Sequence, residues 1–171
     1  MMEFTFETEY NAKSLAIMAK ALRKTIRKQH SRRSHIFGWI IAVLALLLIF
    51  KNLAFDLRTV VTSAAVLAIV AALLFEDRLN GYFAKRRMLA GTEKAVTVFS
   101  ENSFLSATDI GKTEWGYDAI VTVAETADFF IFIFSASHAQ LYDKHRLTGG
   151  TAEDFRSFIG SATGKPVQHI R

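Results

Sequence analysis

The chain has 171 residues, no cysteine, a single proline, 51% hydrophobic residues and a formal charge of +5, enough for one domain of ordinary size. The missing cysteine excludes a disulfide framework, a zinc ribbon, a thiol nucleophile and an iron–sulfur cluster, and a mean hydropathy of +0.21 with 22% charged residues excludes a disordered chain. The charge is unevenly placed: residues 1–35 hold eight Lys/Arg against three Asp/Glu, whereas residues 95–171 hold six against nine.

Residues 3–10 (EFTFETEY) alternate polar and apolar, with Phe4, Phe6 and Tyr10 on one register, which predicts a strand. From Asn11 the period becomes helical. Leu15, Met18, Leu22 and Ile26 form an apolar stripe, and Lys20, Arg23, Lys24, Arg27 and Lys28 occupy much of the opposite face. A basic amphipathic helix of this kind suits an anionic leaflet or RNA, but the excess of positive charge beside a membrane span explains it without either. No aromatic residues are interleaved with the charge, so a nucleic-acid partner is not expected.

Residues 36–50 and 59–75 are two charge-free runs of 15 and 17 residues. As helices they reach about 22 and 25 Å, close to the roughly 30 Å of a hydrocarbon core. Leu53, Ala54 and Phe55 extend the first run if Lys51 snorkels, Leu57 begins the second, and Asp56 is the expected cap of the second helix. A soluble buried hairpin is the competing reading, but two such runs are hard to bury in so small a chain. Lys20 to Arg33 before the first span, and Arg78, Lys85, Arg86 and Arg87 after the second, put both termini in the cytoplasm. Gly38, Ala42 and Ala45 form one small-residue face and Ala64, Ala68 and Ala72 another, the pattern of close helix–helix packing. Neither run contains an ionisable residue, which weighs against a transporter.

Leu79, Tyr82, Phe83, Arg86 and Leu89 continue the helical period beyond the second span, with Gly91 as the expected stop. From residue 94 the pattern is β-rich, with candidate strands at 95–100, 103–108, 112–116, 119–126, 129–134 and 138–142. The run FFIFIF at 129–134 is apolar on both faces and predicts a central strand covered on both sides. Thr151 with Asp154 caps a helix carrying Phe155, Phe158, Ile159 and Ala162 on one face, ended by Gly164 and Pro166. If the N-terminal strand joins, seven strands and one helix make the inventory of a pleckstrin-homology (PH)-like barrel. The expected fold is therefore membrane α+β: a two-helix transmembrane hairpin plus a cytoplasmic PH-like antiparallel β domain closed by a C-terminal helix. Its segments are 1–35, 36–75, 76–93 and 94–171.

The order strand, helix, two-span hairpin, then Trp115 with Ile120, Glu125 and Thr126, the run 129–134, and LYDKHRL at 141–147 before a capped helix with Phe155 and Phe158, resembles the YcxB-like family of bacterial membrane proteins. The resemblance extends over nearly the whole chain. Its motifs are hydrophobic patterns, and Asp143 stands where that family often has a proline. It implies a two-pass protein of the bacterial cytoplasmic membrane and brings no activity with it.

Candidate sites are few. His30, His35, His138, His145 and His169 lack metal-ligand spacing, and no nucleophile or phosphate-loop motif is present, so neither metal, cofactor nor enzyme activity is expected. Lys144, His145 and Arg146, with Asp143 before them and Gly149 and Gly150 ahead of a helix start, are the best candidates for an anion or headgroup contact. The competing reading is a charged strand end leading into a capped helix. Trp115 and Tyr117 suit either a ligand face or the core. The expected function is a non-enzymatic membrane-anchored interaction or sensing module, with anionic lipid headgroups, an unknown protein and a second copy of the chain as partners. The alternative is an oligomeric small transporter or channel subunit built from the hairpin.

Overall fold

The computed structural model describes residues 3–51 and 56–170. The expected extension of the first apolar helix through Leu53, Ala54 and Phe55 lies outside the described residues. Nine strands, five α-helices and two short 3-10 turns follow in chain order among them.

Strand β1 (Phe4–Glu9) answers whether the N-terminal segment belongs to the C-terminal sheet. It lies inside a five-stranded sheet of order β4-β3-β2-β1-β8, antiparallel to β2 (Lys94–Phe99) and to the two-residue β8 (Leu147–Thr148). β3 (Ser103–Thr108) and β4 (Gly111–Gly116) complete that sheet. A second sheet has the order β7-β6-β5-β9, from β5 (Thr122–Glu125), β6 (Phe129–Ile133), β7 (Ala139–Asp143) and β9 (Val167–His169). All pairings are antiparallel except β5 with β9.

Besides the added two-residue β8, two departures from the expected strands have physical causes. The strand expected at 119–126 is shortened, because residues Tyr117–Ala119 form a 3-10 turn where the chain leaves one sheet for the other. Tyr117 turns its ring into the core there, and its hydroxyl donates to the Ser100 carbonyl at 2.6 Å. Strand β9 was not expected: three residues after Pro166 carry too little alternation to register, and their partner β5 is more than forty positions away in sequence.

The two sheets enclose an aromatic core. Phe4 and Phe6 of β1, Phe99, Phe104, Phe130, Phe132 and Tyr142 are fully buried, and helix α5 (Ala152–Thr163) adds Phe155 and Ile159 to the same cluster. Its start is built as expected: the Thr151 hydroxyl accepts from Asp154 N at 3.1 Å, Asp154 Oδ2 accepts from Thr151 N at 2.9 Å, and Gly164 closes the helix at φ +63°. Alternation along β6 makes it the covered strand that FFIFIF implies. Phe130 and Phe132 face the aromatic core, while Ile131 and Ile133 face a second cluster with Leu141, Ala21 and Leu22.

That second cluster is closed by α1 (Ala12–Lys24), capped by Asn11, whose side chain accepts from Ser14 N at 2.9 Å. The basic helix therefore does not lie free on a surface: Leu15 and Leu22 are buried and Met18 packs against the second sheet. It also ends earlier than its stripe suggests. The consecutive β-branched pair Thr25 and Ile26 falls in a turn, where the Arg27 guanidinium reaches the Ala136 carbonyl at 2.6 Å.

Helix α2 then runs Lys28–Lys51, so two polar turns precede its apolar run, and α3 spans Leu57–Leu74 with Asp56 Oδ1 accepting from Thr59 N at 2.8 Å as expected. At 24 and 18 residues they are about 36 and 27 Å long. Both are long and apolar enough to cross a membrane. Within them only Ala42 and Val66 are buried, and Phe50 and Leu67 are each 70% exposed. An apolar surface of this extent requires an apolar surrounding, which speaks against a hairpin buried in a soluble core.

Gly38, Ala42 and Ala45 do line the face of α2 turned to α3; a Cβ on Gly38 would come within 2.8 Å of Leu73. The other expected face does not. Ala64, Ala68 and Ala72 are exposed, and α3 instead presents Thr62, Ser63, Val66, Ile69, Val70 and Leu73. Larger side chains filling a shallow groove leave less void than two small-residue faces laid against each other.

The helix after α3 is likewise not its continuation. The chain bends at Phe75, and α4 (Glu76–Arg87) ends before Met88 rather than at Gly91, which lies in the following turn at φ +85°. α4 packs on α1 through Gly81, where an added Cβ would stand 2.5 Å from Ala16 N and 2.6 Å from the Ala12 carbonyl. Because those neighbours are backbone atoms, Gly81→Ala is expected to destabilise the protein by about 1–3 kcal/mol. Gly160→Ala on α5 meets nothing within 4 Å and should stabilise by about 0.5–1 kcal/mol. Thermal unfolding of the two variants in detergent should move the midpoint in opposite directions; a fall for both, or for neither, would contradict this packing.

Candidate functional site

The residues singled out at 144–146 are not gathered into a cationic patch. The Lys144 ammonium donates to Glu125 Oε1 at 2.5 Å and to the Thr126 carbonyl at 2.6 Å, and lies 4.7 Å from the centre of the Phe130 ring. It is an internal group, its side chain 13% exposed. His145 Nε2 sits 3.1 Å from Asp128 Oδ1, and Arg146 alone of the three is exposed with no acid bonded to it among the described residues. The helix start beyond Gly150 is also taken: Thr151 and Asp154 satisfy its amides, and Glu153 and Asp154 place negative charge where an anion would bind.

Glu125 is the centre around which this part of the domain is arranged. It is 2% exposed at the end of β5. Besides Lys144 it accepts two parallel bonds from Arg156 of α5, both at 2.8 Å, and His169 Nδ1 of β9 lies 3.6 Å away. Burial alone would push its carboxyl up; the Arg156 and Lys144 bonds outweigh this and hold it down at about 2. The arrangement joins β5, α5, β9 and the turn after β7 through one carboxylate. A lone acid in an apolar strand signals such a centre, but its two partners stand 19 and 31 positions away.

Tyr117 belongs to the core, and burial pushes its phenol upward. Trp115 packs on Phe134 and His138 with ring centres 4.7 and 5.5 Å apart, and its buried indole N–H has no acceptor among the described residues. The histidines are dispersed, and no group of three or more His, Asp or Glu that could hold a metal occurs among the described residues.

A different constellation, which the sequence did not single out, lies where the sheet domain meets the hairpin. In the last turn of α1, Arg23 grips Asp77 of α4 with two bonds of 2.8 and 2.5 Å, and its Nε lies 3.6 Å from Glu76. His35 of α2 closes on the same Glu76 at 2.6 Å. Asp77 holds the Arg23 guanidinium even more firmly protonated than usual, against the opposing effect of burial. Three helices are thus knitted by two acids at the N-terminus of α4, where the helix dipole favours them.

Beside this knot opens a cavity of about 590 Å³, walled by the end of α1, the first three turns of α2 and the end of β9. Lys28, Arg32 and His35 line its polar side, Ile36 and Trp39 its apolar side, and Gln168 and His169 come from β9. No acidic residue lines it among the described residues. The β9 wall is fixed by the Ile170 amide, which donates to the Glu125 carbonyl at 2.8 Å.

No family model, no curated protein and no solved structure matches the chain.

Removing the Glu125 charge leaves a buried ammonium and a guanidinium without their partner, so Glu125→Gln should cost about 3–5 kcal/mol. Because the folded carboxyl is held below its ordinary 4.5, the same stabilisation is complete above that value and disappears as pH falls towards about 2. Wild type should therefore lose stability over that window, and Glu125→Gln should show a smaller loss. Parallel pH profiles for the two proteins would refute the assignment.

Proposed function

We propose that the chain is a two-span membrane protein whose sheet domain stands on the cytoplasmic side as a recognition module fixed against the bilayer, with no catalytic role. One observation carries this reading. Helix α1 is held between the second sheet and α4, which ties the sheet domain directly to the base of two long apolar helices with exposed flanks. A domain joined in that way presents one side to the membrane surface and leaves the rest open to a partner.

Other features support it. Basic residues flank the apolar runs on the domain side, as cytoplasmic loops do. Leu79, Tyr82 and Phe83 of α4 are between 40% and 52% exposed just beyond α3, with Arg78 beside the Phe75 ring, and such amphipathic side chains favour a headgroup boundary. Two sheets sharing one core with a C-terminal helix are compatible with a PH-like domain, although β8 and β9 exceed the seven strands expected. The order of elements also supports placing the chain near the YcxB-like bacterial membrane proteins, as a two-pass protein of the cytoplasmic membrane. The transporter alternative draws no support from the hairpin, whose described apolar stretches contain no ionisable side chain between Ile36 and Phe50 or between Thr59 and Phe75.

Single cysteines in this cysteine-free chain test the reading. Arg58→Cys, in the first turn of α3 next to the connection between the spans, should label with an impermeant reagent on intact cells, whereas Glu101→Cys and Ser161→Cys, both exposed on the sheet domain, should label only after lysis. Reversed labelling would overturn the orientation, and ion flux through liposomes carrying the purified chain would favour the transporter.

A further inference from the structure

We propose that the junction cavity binds the phosphodiester headgroup of an anionic phospholipid, with an acyl chain lying along Ile36 and Trp39. The inference rests on the two-span reading above and goes beyond it by naming a ligand class and its site.

The residues that would hold the lipid succeed one another along one face of α2. Lys28, Arg32, Ile36 and Trp39 recur at steps of four, four and three, which keeps them aligned on a helix. Over about 16 Å of helix this face passes from two cations to an isoleucine and a tryptophan. A soluble phosphate would need only the cations; a phospholipid needs both halves in this order, with charge on the domain side and apolar surface towards the hairpin. Trp39 is 43% exposed at the beginning of the apolar run, where an indole is favoured at headgroup depth.

Charge accounting points the same way. The acids bonded to lining residues are already engaged: Glu76 and Asp77 by Arg23 and His35, and Glu125, 3.6 Å from His169, by Lys144 and Arg156. Lys28 and Arg32 are exposed, and neither is paired with an acid among the described residues. They are left facing a cavity wall with no carboxylate in it. At about 590 Å³ the space fits a headgroup and glycerol backbone but not two acyl chains, which would leave along α2 past Trp39. Unlike a generic basic surface, the cavity has a second wall from the sheet domain, where β9 contributes Gln168 and His169 to its lining.

The test uses the full chain in detergent, with lipid retention read by native mass spectrometry and unfolding midpoint by heating. Phosphatidylglycerol should be retained and raise the midpoint; phosphatidylcholine and inorganic phosphate should do neither. Lys28→Gln with Arg32→Gln should weaken phosphatidylglycerol binding on the order of tenfold to thirtyfold, the effect of two interfacial cations, and Trp39→Ala should also weaken it. Arg86→Gln with Arg87→Gln removes the same charge from the far end of α4 and should leave binding unchanged. Equal losses in both double variants would reduce the effect to non-specific attraction and overturn the site. A midpoint shift with inorganic phosphate that matches phosphatidylglycerol would assign a soluble anion instead. If cysteine labelling keeps both spans in place while lipid selectivity fails, only the cavity assignment falls; reversed or absent insertion would remove the reading beneath it.

Discussion

The close approach of α1 and α4 at Gly81 is the constraint on which the rest of the architecture depends. With backbone atoms of Ala12 and Ala16 occupying the space where a Cβ would project, the two helices can meet only at a glycine. That contact brings the last turn of α1 over the first turn of α4, so Arg23 reaches Asp77 with both branches of its guanidinium. A bidentate pair of this kind fixes orientation as well as distance. Because the opposite side of α1 covers Ile131, Ile133 and Leu141 of the second sheet, the position of the sheet domain on the hairpin follows from one glycine and one arginine.

The sheet domain is ordered by a division of labour along its strands. In β6, phenylalanines supply the interior between the sheets and isoleucines supply the seat for α1. A strand covered on both faces needs no polar alternation, which is why its composition reads as a continuous apolar run. The neighbouring β5 has one charged residue, Glu125, which the structure retains by surrounding it with Arg156, Lys144 and the nearby His169. Each of these comes from a different element, so the carboxylate sets how α5 and β9 sit against the second sheet. Hydrophobic contact alone would hold those elements without specifying their register.

How much of this was legible depended on whether the determining contact was local. The capped start of α5, the Asp56 cap, the apolar helices and most strands depend on residues within a turn or a few alternating positions. Partners distant in sequence left no such trace. Lys144 looks like a surface cation in DKHR until Glu125 is placed beneath it, which is why the sequence offers it as a headgroup contact. Gly81 lies in a segment whose apolar period points to Leu79, Tyr82 and Phe83, which are exposed, whereas the residue that packs is the glycine with no side chain to count. Likewise the stripe of Ala64, Ala68 and Ala72 has the spacing of a packing face, but spacing does not say which face a neighbour with small residues can accommodate.

The positive charge of residues 1–35 also acquires a structure. As a composition it is a bias of eight basic residues against three acids, all before the first apolar run. In the fold these residues do different things: Arg23 locks helices together, Arg27 pins the turn to the β6–β7 loop, and Lys28 and Arg32 meet no acid among the described residues. The last pair is the one that continues onto the apolar face of α2. A topological bias needs only a number of charges on one side of a membrane, whereas a binding site needs them unneutralised, aligned and next to an apolar wall. Lys28 and Arg32 along α2 meet all three conditions beside Ile36 and Trp39, so their alignment with the apolar wall carries information that the count of basic residues does not.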